Sequence, residues 1–139
     1  MPEAPERYAR VKNSRTVLAF DFGLKRIGVA VGEPELGTAH PLAPIAAPGF
    51  EAIGKLVAEW RPARLVIGLP VAANGEHPLA KRVERFARQL EGRFHIPVAR
   101  VDERFSSVEA ESRLRGTKRK SIDSVAAQLI LEQYFDEAA

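Results

Sequence analysis

The segment Arg64–Leu69, RLVIGL, constrains the fold more than any other stretch of this chain. It is short, almost wholly apolar, and set between two stretches of helical periodicity. Before it, Phe50, Ile53, Val57 and Trp60 recur at the spacing of an amphipathic helix, which Pro62 ends. After it, Leu79, Val83, Phe86 and Leu90 mark a second helix, opened by Pro78 and stopped at Gly92. A strand without a polar face must be covered on both sides. Strands alternating with helices are joined by crossovers and lie parallel. Pro97–Val101, PVARV, follows the second helix and continues the alternation.

The N-terminal part reads differently. TVLAF, residues 16–20, has strand character; DFGLKR holds a turn; IGVAVG, residues 27–32, returns antiparallel. A third strand over Ala39–Ala46 is restricted to a sheet edge by Pro41 and Pro44. Toward the C-terminus, Ser106-x-x-Glu109 forms a capping-box pattern before Val108, Ala110 and Leu114. Ser121 caps a last helix with Ile122, Val125, Ala126, Leu129 and Tyr134 on its inner side. The expectation is an α/β fold: one domain with a mixed sheet of about five strands flanked by helices. Residues 1–15 are expected to be a flexible polar leader, and 16–139 the folded domain.

A chain of 139 residues supports one core and leaves no room for the two lobes of large kinases. It has no cysteine, which removes disulfides and thiol catalysis and suits a reducing, cytoplasmic location. No apolar span long enough for a membrane helix is present, and the first residues lack the apolar stretch of a signal peptide. His40, His77 and His95 have no metal-ligand spacing and read as loop or surface residues. Trp60 and Phe86 lie on apolar helical stripes and read as core. The net charge is only +3, but residues 113–120, RLRGTKRK, gather five basic groups without an acid. Such a run is either a solvated loop or a grip on phosphates.

The carboxylates carry the chemical argument. Asp21 ends an apolar strand, where an unpaired charge is costly. Asp102 and Glu103 end PVARV; if that strand is parallel to TVLAF, all three acids lie along one sheet edge, where open α/β sheets bind ligands. Asp102 and Glu103 are adjacent, so only one of them faces a common site. Asp123 falls in the first turn of the last helix, where capping alone would also favour an acid. Acids converging from distant segments suit hard cations such as magnesium or manganese. Two such ions about 3.5–4 Å apart stabilise the attacking and leaving oxygens of a phosphodiester. Locally, Gly68 reads as part of a strand terminator, and Ser106 and Ser107 as capping residues rather than nucleophiles.

LAFDFGLKRIGVAVG, VIGLP followed by Asn74-Gly75, VDERFSS and IDSVAAQLILEQYF together resemble the YqgF-like, or RuvX-like, family. Four motifs in order, from about Leu18 to Phe135, make the resemblance specific. It implies a ribonuclease H-like fold in a bacterial cytoplasmic protein. It also implies a nuclease maturing the 5′ end of pre-16S ribosomal RNA, with Holliday junction resolution as the alternative. By motif, Asp21, Glu103 and Asp123 match the metal-binding, catalytic acids, with Mg2+ or Mn2+, two ions, as cofactor. Asn74 departs from the family, which commonly has an aspartate before that glycine.

The expected activity is therefore metal-dependent phosphodiester hydrolysis. Lys118, Arg119 and Lys120 hold the backbone, with Arg104 and Arg115 as helpers. The expected partners are pre-rRNA or branched DNA and pre-30S ribosomal particles, without a membrane, for a monomer or a homodimer. A non-catalytic RNA- or ribosome-binding module predicts salt-sensitive binding without turnover, and has no use for clustered acids. A nucleotide-dependent phosphotransferase is disfavoured because the P-loop pattern is absent and one lobe cannot close around a nucleotide.

Overall fold

A computed structural model describes residues 15–70, 77–103 and 122–138, with only the backbone for 122 and 123. Among the described residues, five strands and three helices follow one another as β1 (Val17–Asp21), β2 (Arg26–Glu33), β3 (Thr38–Ala46), α1 (Phe50–Trp60), β4 (Arg64–Leu69), α2 (Ala80–Phe94), β5 (Val98–Asp102) and α3 (Ile122–Ala138). The sheet order is β3-β2-β1-β4-β5. β1, β2 and β3 form an antiparallel meander, whereas β1, β4 and β5 are parallel. The mixed five-stranded α/β sheet read from the sequence is the observed one.

Strand alternation splits the core into two layers. Leu18, Phe20, Val29, Leu65 and Ile67 pack with Val83, Phe86 and Leu90 of α2 and with Ile53 of α1. Val17, Ala19, Ala30, Val66 and Val101 pack with Ala127, Ile130, Leu131 and Phe135 of α3. β4 contributes to both layers, which is why RLVIGL has no polar face. Its Leu65, Val66 and Ile67 are fully buried. Trp60 and Phe86 are core residues, as expected, with Trp60 partly covered.

Three details differ from the sequence expectation. α2 begins at Ala80 rather than at Pro78, and Gly92 does not stop it. The helix runs to Phe94 because that ring packs on the core, which offsets the roughly 1 kcal/mol cost of an internal glycine. His95 ends the helix instead, at φ 56°, its N–H donating to the Glu91 carbonyl. On α3, Val125 and Leu129 are buried as expected, but the seam against the sheet runs through Ala127, Ile130, Leu131 and Phe135. Arg15 pairs with Glu35 at 2.9 Å. The edge strand β3 keeps Pro41 and Pro44, and its ladder with β2 slips by one residue between Ile27 and Val29.

Candidate active site

The carboxyl ends of β1 and β5 place the site. In the ladders, Phe20 pairs with Ile67, and Leu69 with Asp102. The Glu103 N–H donates to the Leu69 carbonyl at 3.0 Å and carries the β5 pairing one residue further. Val17 and Ala19 face α3, so Asp21 faces α3 as well; by the same alternation Glu103 follows Val101 to that face. Asp102 points to the opposite face and is exposed. Of the two adjacent acids, Glu103 is therefore the one that joins Asp21.

The two side chains meet through a hydrogen bond between their carboxyl groups. Glu103 is pushed above the usual carboxylate range, first by burial; the Asp21 hydrogen bond and the nearby His77 pull it back in part. His77, read from the sequence as a loop residue, thus stands within electrostatic reach of the pair. Its Nδ1 accepts the Leu79 N–H at 3.1 Å, which fixes the ring next to the pair.

Two features of this site were not legible from residue patterns. Gly68 lies inside β4 and is more than a terminator. A Cβ there would sit 2.9 Å from Glu103 Oε1 and 2.5 Å from Ile130 Cδ1. The missing side chain makes the space in which the Glu103 carboxylate lies. Ser124, fully buried, accepts the Val29 N–H on its Oγ at 3.2 Å. Val29 is where the β2–β3 register slips, so the hydroxyl satisfies a backbone donor at an irregular point of the ladder. It also ties the start of α3, and with it the backbone of Asp123, to β2 next to Gly28, the ladder partner of Asp21.

The other end of α3 is held as well. Gln128 donates to the Ala39 carbonyl at 3.0 Å, Arg64 donates to the Tyr134 hydroxyl at 3.2 Å, and Gln133 donates to the Asp102 carbonyl. On the opposite face, Arg100 binds Glu84 at 2.8 Å and Glu91 at 2.9 Å, locking β5 to α2. Phe22, next to Asp21, stacks on Phe86 with centroids 5.0 Å apart. The ends of β1 and β5 are thus braced from both faces of the sheet.

The paired oxygen donors fit a hard divalent cation: both are carboxyl groups, they already lie within hydrogen-bond reach, and the missing side chain of Gly68 makes room for the Glu103 carboxylate. Among the described residues, no cluster of three or more metal-ligating side chains is present. The Asp123 side chain and Arg104, Arg115, Lys118, Arg119 and Lys120 lie outside the described side chains, as do Asn74 and the Ser106 capping box. No described helix is long and apolar enough to cross a membrane.

Known proteins share both sequence and fold. A protein of Methylobacillus flagellatus, named as a proposed pre-16S rRNA nuclease, is 54% identical over 134 residues, spanning 88% of this chain and 92% of its own. A protein of the same name from Dechloromonas aromatica is 52% identical over 132 residues, spanning 87% of this chain and 90% of its own. Among solved structures, the Fowlpox virus resolvase in complex with substrate Holliday junction DNA superposes with a TM-score of 0.57 at 10% identity, covering 88% of this chain and 98% of the viral one. That likeness is one of fold, and the fold is ribonuclease H-like. The RuvX family, described as Holliday junction resolvase, matches residues 15–137, and the chain belongs to that family.

Proposed function

We propose that this protein is a metal-dependent nuclease that hydrolyses phosphodiester bonds in structured nucleic acid, with pre-16S ribosomal RNA as its substrate. The observation that carries the reading is the Asp21–Glu103 pair at the joint end of two parallel strands. Two acids held this close repel phosphate on their own and attract it only with a cation between them. Asp21 and Glu103 would hold that cation, and Asp123, whose helix starts beside them, would complete its ligand set. Bound there, a divalent ion supplies Lewis-acid activation of water and stabilises charge on the phosphate oxygens.

The chain's own residues set the geometry of the reaction. The Gly68 cradle and the Leu69 carbonyl fix where the Glu103 carboxylate lies. Asp21 is fixed by its place in the β1–β2 ladder opposite Gly28. Lys118, Arg119 and Lys120, with Arg104 and Arg115, would neutralise flanking phosphates and so make binding fall with rising salt.

The names of the relatives favour the ribosomal substrate. A second reading, cleavage of four-way DNA junctions, is favoured by the family's description and by the viral resolvase's fold. A cleavage panel with Mg2+ or Mn2+ tests both: a pre-16S 5′-leader RNA, a four-way DNA junction and plain single strands. Cutting of the leader by the wild type and none by Asp21→Asn supports the proposal. Paired symmetric cuts in the junction alone replace it with the second reading. Salt-sensitive binding without any cutting overturns both in favour of a binding module.

A further inference from the structure

Among the described residues, only two large hydrophobic side chains are strongly exposed: Leu24 at 58% and Leu36 at 67%. They lie in the turns at opposite ends of β2, and their surroundings differ in kind. Leu36 follows Glu35, which Arg15 neutralises, and lies in the β2–β3 turn, at the end of β2 away from Asp21. Leu24 precedes Lys25 and Arg26, both exposed cations. It is also three residues beyond Asp21, in the turn that leaves the acidic end of β1.

The turn bearing Leu24 is held in place. A Cβ at Gly23 would collide with the Arg26 carbonyl oxygen, so the chain folds back here as tightly as glycine permits. The Lys25 carbonyl accepts the Ala47 N–H at 2.9 Å, which ties the turn to the segment after β3. On the other side, Phe22 is fixed against Phe86. An apolar side chain is therefore displayed on a braced turn three residues beyond Asp21, with positive charge at its flank. Its exposure brings no stability to the fold.

We infer that Leu24 is a substrate-reading residue, which packs against the face of a nucleobase next to the scissile phosphate while Lys25 binds the adjoining phosphate. Apolar side chains act in this way by entering a base step and taking over contacts from the neighbouring base. The cost is least where a base is already unpaired or at the edge of a stack. Leu24 thereby favours the junction between paired and unpaired nucleotides over continuous duplex. The inference rests on the nuclease reading and adds to it the local shape of the cleavage site.

The test places 2-aminopurine beside the cleavage site of the substrate that the wild type cuts, or, if nothing is cut, at the unpaired edge of the leader RNA. Fluorescence is read with Ca2+, so that binding is followed without turnover. Wild type should raise the fluorescence as the base leaves its stack. Leu24→Ala should lose that rise and slow single-turnover cleavage by about tenfold or more, whereas Leu24→Phe should keep both. Leu36→Ala is the control and should match the wild type. Equal thermal melting of all variants separates the effect from folding. Wild-type fluorescence and cleavage in Leu24→Ala would overturn the inference. A wild type that never cuts refutes the nuclease reading, while the fluorescence still decides the role of Leu24.

Discussion

The Asp21 and Glu103 carboxyl groups share a hydrogen bond although they arrive from strands that β4 separates in the sheet. They meet because β1, β4 and β5 are parallel and Gly68 of the middle strand is too small to stand between them.

A pH dependence follows for the metal-free protein. Glu103 ionises above its ordinary value of 4.5 because burial disfavours its charge. The folded state then holds its proton more tightly than the unfolded chain. That contribution to stability is complete below about 4.5 and is lost as the pH rises through the raised value. The melting temperature should accordingly fall over this window without divalent ions. Mg2+ should reverse the fall at neutral pH, since a ligand that binds the native state stabilises it. A melting series across pH, with and without Mg2+, checks both.

The opposite slope belongs to Arg100. Glu84 and Glu91 are both held below their ordinary 4.5, chiefly by hydrogen bonds from Arg100. Their contribution is present above 4.5 and is lost as the pH falls through the lowered values. All three side chains are partly solvated, so Arg100→Met should cost only about 1 kcal/mol at neutral pH and less in acid. Denaturant titrations at neutral and acid pH read the difference. Cleavage should be unaffected, because Arg100 faces α2, away from the carboxylate pair.

Gly68→Ala tests the cradle. The new methyl meets both Glu103 Oε1 and the buried Ile130 Cδ1. Overpacking of this kind costs about 1–3 kcal/mol. Divalent-ion affinity should fall with it, because the Glu103 carboxylate is displaced. Melting and Mn2+ titration of the same sample measure the two effects.

Ser124→Ala removes the acceptor of the Val29 N–H and leaves a buried donor unpaired, at a cost of about 1–3 kcal/mol. Ser124→Thr retains the hydroxyl and should recover part of the loss. Because Ser124 ties the start of α3 to β2, the alanine variant should also need more metal to reach half-maximal cleavage.

The sequence was most legible where a residue's burial and its local pattern agree. The two-sided burial of RLVIGL announced the parallel half of the sheet, and Pro41 with Pro44 announced the edge strand. Gly92 misled because its local signal is a helix stop, while Phe94, two residues later, is drawn to the core. Gly68 misled in the same way: its purpose lies in Ile130 and Glu103, which are distant in sequence. Ser124 carries no pattern, since its partner is a backbone N–H on another strand. The family motif pointed to Glu103, but residue pattern alone left Asp102 beside it open; the observed register of β5 turns Glu103 toward α3 and Asp102 away.

The central claim is that Asp21 and Glu103 together bind a divalent cation. Mn2+ binding followed by electron paramagnetic resonance, on wild type, Asp21→Asn and Glu103→Gln, tests it most directly. Wild type should bind Mn2+ with Mg2+ competing, and each variant should weaken binding by at least about tenfold, the loss of one charged oxygen ligand. Equal Mn2+ binding by all three proteins, each folded, would contradict the account.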